Sequence, residues 1–185
     1  MADRTALLLI DVIESFFGAE MPNFYPEVVQ VLDPLRQLLA AARGSGALVV
    51  HGVERHRPGL DDFEWRKLPQ HHFAGAPDAT VVAGFEMQGL REVVLPKRRF
   101  SAFFATDLAL LLREQGIARV VVAGVKTNVC IRATVQDAFA YGFSPIVPRE
   151  ATNSNRPQLA AASLEDIDRY MGRVVALDDA LEALA

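Results

Sequence analysis

The stretch ARVVVAGVKTNVCIRATVQDAFAYGF, residues 118–143, decides the fold. Val120–Val122 form a β-branched run that reads as a buried strand. Gly124 closes it, and Thr127 and Asn128 are residue types that cap helix N-termini. From Val129 onward Ile131, Thr134, Val135, Ala138 and Phe139 share one helical face, and Gly142 stands where a C-terminal cap belongs. The segment therefore predicts strand, tight turn, helix. It also holds the chain's single cysteine, Cys130, in the first turn of that helix. Free amide groups and the positive end of the helix dipole favour a thiolate there, which makes Cys130 a candidate nucleophile. A small residue filling a helix–sheet gap is the competing reading of any lone cysteine, and the rest of the chain decides between them.

Outward from this segment, strand and helix alternate. TALLLI (5–10) is a continuous apolar run ending at Asp11, as in a central parallel strand. A loop over 12–24 carries Phe16, Phe17 and Phe24, and Pro26 opens a helix with Val28, Leu32, Leu35, Leu38, Leu39 and Ala42 on its apolar side. ALVV (47–50) follows as a strand. Residues 51–80 hold Pro58, Pro69, Pro77 and all four histidines and read as a long irregular loop. EVVLP (92–96) is a strand ending at Lys97, and Thr106 caps a helix that Gly116 stops. Beyond the opening segment come a short strand PIVP (145–148), a helix over 157–171 and a strand RVVAL (173–177). This alternation predicts an α/β fold: one domain over 1–185, three layers α/β/α, with a Rossmann-like, mostly parallel six-stranded sheet.

Such sheets bind ligands beyond the carboxyl ends of their strands. Asp11, Lys97 and Cys130 all stand at strand ends. Singly, Asp11 reads as a turn residue and Lys97 as part of a solvated KRR run. Together, a carboxylate, an ammonium and a thiol on one rim suit an activated nucleophile. Other classes are excluded. The first strand is followed by DVIESFF, not by a glycine-rich phosphate loop, and no Walker sequence occurs. One cysteine permits neither a C-x-x-C pair nor an internal disulfide. A net charge of −4 offers no basic face to nucleic acid. The apolar run in MADRTALLLID is too short for a signal peptide or a membrane span, so a cytoplasmic protein without a membrane partner is expected.

LLLID with Asp11, LPKRRFSAFFATDL with Lys97 and VVVAGVKTNVCIRATVQDAFAYGF with Cys130 resemble the isochorismatase-like cysteine hydrolases, over nearly the whole length. The resemblance implies that superfamily's hydrolase fold and an Asp11–Lys97–Cys130 triad. It also implies a non-proline cis peptide between Val125 and Lys126, and an oxyanion hole made of the backbone N–H groups of Lys126 and Cys130. True isochorismatases of this superfamily lack the cysteine. Its presence here implies a cysteine-dependent amidohydrolase that cleaves a C–N bond of a small amide or ureide/carbamoyl compound, through a thioester and with release of ammonia. The sequence looks most like the ureidoacrylate and biuret hydrolase group, and a homo-oligomer is expected.

Phe16, Phe17 and Phe100 are expected to wall the substrate pocket, and Phe103 to pack in the core. Whichever of Arg98, Arg99 and Lys126 faces the pocket would meet a carboxylate or polarised carbonyl of the substrate. Nicotinamidases resembling this family bind a metal through an Asp-x-His pair after the second strand and a further histidine. Here Glu54-Arg55-His56 stands in that place, followed by His71 and His72, and Asp62 replaces a histidine found in some relatives. With the aspartate missing, the expectation is a solvated loop with incidental histidines, no catalytic metal and no cofactor. Two alternatives remain: a metal-assisted nicotinamidase-type amidase, and a catalytically silent redox-sensing thiol protein of the same fold. Retention of both Asp11 and Lys97 speaks against the second.

Overall fold

Seven strands form one sheet in the computed structural model, which describes residues 4–185. They are β1 (Arg4–Ile10), β2 (Leu48–Glu54), β3 (Glu92–Lys97), β4 (Ile117–Val125), β5 (Ser144–Pro148), β6 (Thr152–Asn153) and β7 (Arg173–Val175). The order is β3-β2-β1-β4-β5-β7, with β6 on β4, and every strand pairing is parallel. The six-stranded expectation missed β6, whose two residues are too few to leave an apolar pattern. β2 runs on to Glu54 rather than stopping at Val50, because His51 and Glu54 are buried polar residues that break the hydrophobic run.

Side-chain alternation along the central strands builds two cores. Leu7 and Leu9 of β1 with Val49, Val53, Val121 and Ala123 point to one face. There they meet α2 (Leu32–Ser45) through Leu35, Leu38, Leu39 and Ala42, and α6 (Leu177–Leu184) through Ala180 and Leu184. Ala6, Leu8 and Ile10 point the other way with Val50, Val120 and Val122. They meet α3 (Leu108–Glu114) through Leu108 and Leu112, α4 (Arg132–Ala140) through Val135 and Ala138, and α5 (Pro157–Tyr170) through Ile167. Each fully buried leucine in these layers contributes roughly 1.5–3 kcal/mol of transfer free energy. Phe103, 2% exposed and stacked on Tyr141, belongs to the second core as expected. The helix α6 was not foreseen. Its first residue, Leu177, reads as the end of the RVVAL strand, but β7 stops at Val175.

Strand order reverses between β1 and β4, which places the crevice beyond Asp11 on one side and the turn after Val125 on the other. β1 and β4 approach closely because Gly124 has no side chain. A Cβ there would lie 2.0 Å from the Ile10 carbonyl oxygen, and its φ of +119° suits only glycine.

Candidate active site

Three strand ends deliver the candidate chemistry to the crevice. Asp11 follows β1 directly, with a φ of 53° in the left-handed region that aspartate tolerates. Lys97 ends β3 at the sheet edge, and its long side chain crosses the end of β2 to reach the centre. Cys130 lies in a wide, π-type turn, Thr127–Ile131, that joins β4 to α4. The peptide between Val125 and Lys126 is cis, as the resemblance implies. The expected side-chain cap at Thr127 or Asn128 does not form. Thr127 is buried and bonds the Thr152 hydroxyl at 2.8 Å instead, tying the turn to β6.

Lys97 Nζ lies 2.8 Å from Asp11 Oδ2 and 3.7 Å from Cys130 Sγ, and also donates to the Arg99 carbonyl at 3.2 Å. The Asp11 and Lys97 side chains are fully enclosed, and Cys130 is 4% exposed. Burial works against the Lys97 charge, yet Asp11, Cys130 and Glu54 surround it and hold it firmly as an ammonium. Burial raises the Asp11 carboxyl, with Lys97 opposing. Burial also pushes the Cys130 thiol well up; Lys97 pulls it down, while Asp11 and Glu54 add to the rise. Loss of water thus works against the thiolate expected from the helix-start position.

A cavity of about 460 Å³ opens on Cys130 and is lined among others by Phe16, Glu54, His71, Phe100 and Lys126. Of the phenylalanines expected to wall the pocket, Phe16 and Phe100 line this cavity. Phe17 does not: it packs against the first core, since residues 14–17 fold into a helical turn (α1, Glu14–Phe17) that turns Phe16 inward. Of the three rim cations, Lys126 faces this cavity. Arg99 pairs with Asp62 at 2.7 Å, and Arg98 lines a separate crevice with Arg55 and Phe104.

The histidine loop corrects the expectation of a solvated segment. His56 and His72 are 0% and 1% exposed. His56 Nδ1 donates to Asp62 Oδ2 at 2.9 Å, and His71 Nδ1 donates to the Pro69 carbonyl at 2.6 Å. Both rings therefore turn Nε2 inward, toward Glu54 Oε1 at 3.7 and 3.9 Å; Glu64 Oε1 lies 3.6 Å from His71 Nε2. Glu54 Oε1, His56 Nε2 and Glu64 Oε1 are buried without a hydrogen-bond partner among the described residues. Four ligand atoms, one each from Glu54, His56, Glu64 and His71, lie within 4.8 Å of one another. Inward nitrogens, orphaned oxygens and outer partners that fix each ring make this donor set fit a divalent metal such as zinc or manganese.

His72 bridges Glu54 at 3.2 Å and the Ser15 hydroxyl at 2.7 Å, with its ring edge against Phe16. Burial alone would raise the Glu54 carboxyl, but Lys97 and the three imidazoles hold it far below the usual carboxylate range. The Glu54 and Glu64 carboxylates bring His71 up to about 10. His51 stands apart, on Glu92 at the opposite end of the sheet. Glu64 and Ser15 were missed in the sequence, since neither sits in a patterned segment.

The chain matches known proteins over almost its full length. The family model described as Isochorismatase domain covers residues 5–179. A maleamate amidohydrolase from Pseudomonas putida is 40% identical, covering 98% of this chain and 87% of that protein. The ureidoacrylate amidohydrolase RutB from Enterobacter sp. is 28% identical, covering 98% and 90%. Among solved structures, an isochorismatase-like hydrolase from Alkaliphilus metalliredigens superposes with a TM-score of 0.90 at 31% identity, covering 98% of this chain and 100% of that one.

Proposed function

Because the chain belongs to the isochorismatase family, we propose that it is a cysteine-dependent amidohydrolase that releases ammonia from a small amide or ureide. The observation that carries this reading is the contact of Lys97 Nζ with both Asp11 (2.8 Å) and Cys130 (3.7 Å) beside an open cavity. A redox-sensing thiol needs neither the enclosed ammonium nor the carboxylate.

Asp11 takes the Cys130 proton when substrate fills the cavity; burial raises the affinity of its carboxylate for that proton. The thiolate attacks the substrate carbonyl carbon, a C–S bond forms, and the π electrons move onto oxygen. Backbone N–H groups of Lys126 and Cys130 receive that oxyanion, and loss of one such donor costs about 3–4 kcal/mol in other hydrolases. On collapse the C–N bond breaks, Asp11 returns its proton to the leaving nitrogen, and ammonia departs. Water, deprotonated by Asp11, then cleaves the thioester (a thiocarbamate for a ureide) and restores the thiol. Lys97 keeps Asp11 oriented and balances the negative charge throughout. Phe16 and Phe100 flank the substrate body and limit access of water. Glu54, His56, Glu64 and His71 would hold a divalent ion, which when bound supplies Lewis-acid polarisation toward a polar substrate atom in the same cavity.

Ammonia release by the wild type and by Cys130→Ala tests the reading, across maleamate, ureidoacrylate, biuret, carbamoylsarcosine and nicotinamide. The wild type is expected to turn over an acid amide or ureide with a kcat/KM above that for nicotinamide, and the variant to lose at least about a thousandfold in rate. Substantial turnover by Cys130→Ala would remove the cysteine from the mechanism. A tenfold preference for nicotinamide would favour the nicotinamidase alternative.

A further inference from the structure

Lys126 follows the cis peptide and holds its ammonium over two aromatic rings, 5.5 Å from the centroid of Phe16 and 5.4 Å from that of Tyr25. No carboxylate lies within ion-pair distance of it among the described residues, although the same cavity is lined by Glu54. The Tyr25 hydroxyl is occupied, donating to Asn153 Oδ1 at 2.8 Å, so the ring supports Lys126 with its face alone. Partial burial disfavours the bare ammonium, Cys130 opposes that, and Arg156 adds positive charge nearby. Arg99, by contrast, pairs with Asp62. An ammonium held at a substrate cavity by π faces, with no acid to neutralise it, is built to receive an anion from solution.

We propose that the Lys126 side chain is the specificity-determining residue of the substrate cavity, binding a free carboxylate at the far end of a short amide or ureide whose C(O)–N group reacts at Cys130. This deepens the amidohydrolase reading and rests on it for the identity of the reacting end. The enzyme then selects amide acids over neutral amides. The anion offsets the cost of keeping Lys126 charged, and a neutral amide leaves that cost uncompensated. The aromatic walls take up the apolar carbons between the two ends.

Succinamate, its neutral diamide succinamide, and succinate as an unreactive ligand provide the test, with wild type, Lys126→Met and Lys126→Arg. Wild type should prefer succinamate over succinamide in kcat/KM by about 10- to 150-fold, the equivalent of one charge-assisted hydrogen bond. Lys126→Met should collapse that ratio toward one, chiefly through KM, and weaken calorimetric binding of succinate by a similar factor. Lys126→Arg should restore most of both. Melting temperatures of the variants separate loss of the contact from loss of the fold. A wild type that binds succinate no better than succinamide overturns the proposal. So does an acid preference that survives in Lys126→Met, which would assign the anion to another partner such as an ion held by the histidine cluster. If succinate binding depends on Lys126 while wild type hydrolyses no amide, the carboxylate site stands and the amidohydrolase reading fails.

Discussion

Cys130 is enclosed by Asp11 and Lys97, and its thiol titrates in a setting unlike that of an ordinary helix-start cysteine. Burial raises the thiol, and the Asp11 and Glu54 carboxylates add to the rise, against the pull of Lys97. Alkylation requires the thiolate, so a raised pKa delays the reaction to higher pH. Iodoacetamide should therefore inactivate the free enzyme slowly at neutral pH, with a rate that climbs only beyond the free-thiol value of about 8.5. Pseudo-first-order inactivation across pH checks this, and an inflection below that value would contradict the burial argument. The three candidate residues were legible because strand ends announce themselves by where an apolar run stops. The protonation state was not, since it depends on what covers Cys130 after folding. Phe17 shows the same limit: four residues of helical turn decide which of two adjacent phenylalanines faces the cavity.

At the scale of elements, the contact between β1 and β4 holds the crevice in shape. Gly124→Ala would drive a Cβ to 2.0 Å from the Ile10 carbonyl oxygen, in a backbone conformation that alanine avoids. The two central strands must then separate. A loss of about 3 kcal/mol or more is expected, read as a fall in the denaturant midpoint. An unchanged midpoint would mean that the strands part without cost. Most elements were legible because their apolar runs and glycine stops coincide. β2 was cut short because His51 and Glu54 look like loop residues, although both are buried in the folded chain. The capped helix after β4 became a π-type turn, since Thr127 finds a better partner in Thr152.

For the molecule as a whole, the segment between β2 and β3 is largely exposed but buries His56, Asp62, Glu64 and His72. It carries His56, His71 and His72 against the sheet end and brings Glu64 to Glu54. Sequence spacing could not reveal this, because Glu64 becomes a neighbour only when the long loop closes. The purified protein should contain about one equivalent of zinc or manganese per chain. Chelation should lower the melting temperature by several degrees, as expected when a bound ion stabilises only the folded state. His56→Ala should abolish the bound metal. Elemental analysis and thermal melts read both effects, and a metal-free protein whose melting does not respond to added zinc would contradict the fit.

Glu54 gives the arrangement its economy. Its main-chain N–H donates to Asp11 Oδ1 at 2.8 Å, while its carboxylate faces His56, His71 and His72. One residue thus stands in two chemistries, through the part of it that every amino acid shares and through the part that is its own. Any charge arriving among the imidazoles is one residue away from Asp11, with no moving part between. The side chain at this position can be exchanged without cutting the link to Asp11, since that link runs through the backbone. A fold built this way can retune its loop of histidines over generations while Asp11 keeps the same support.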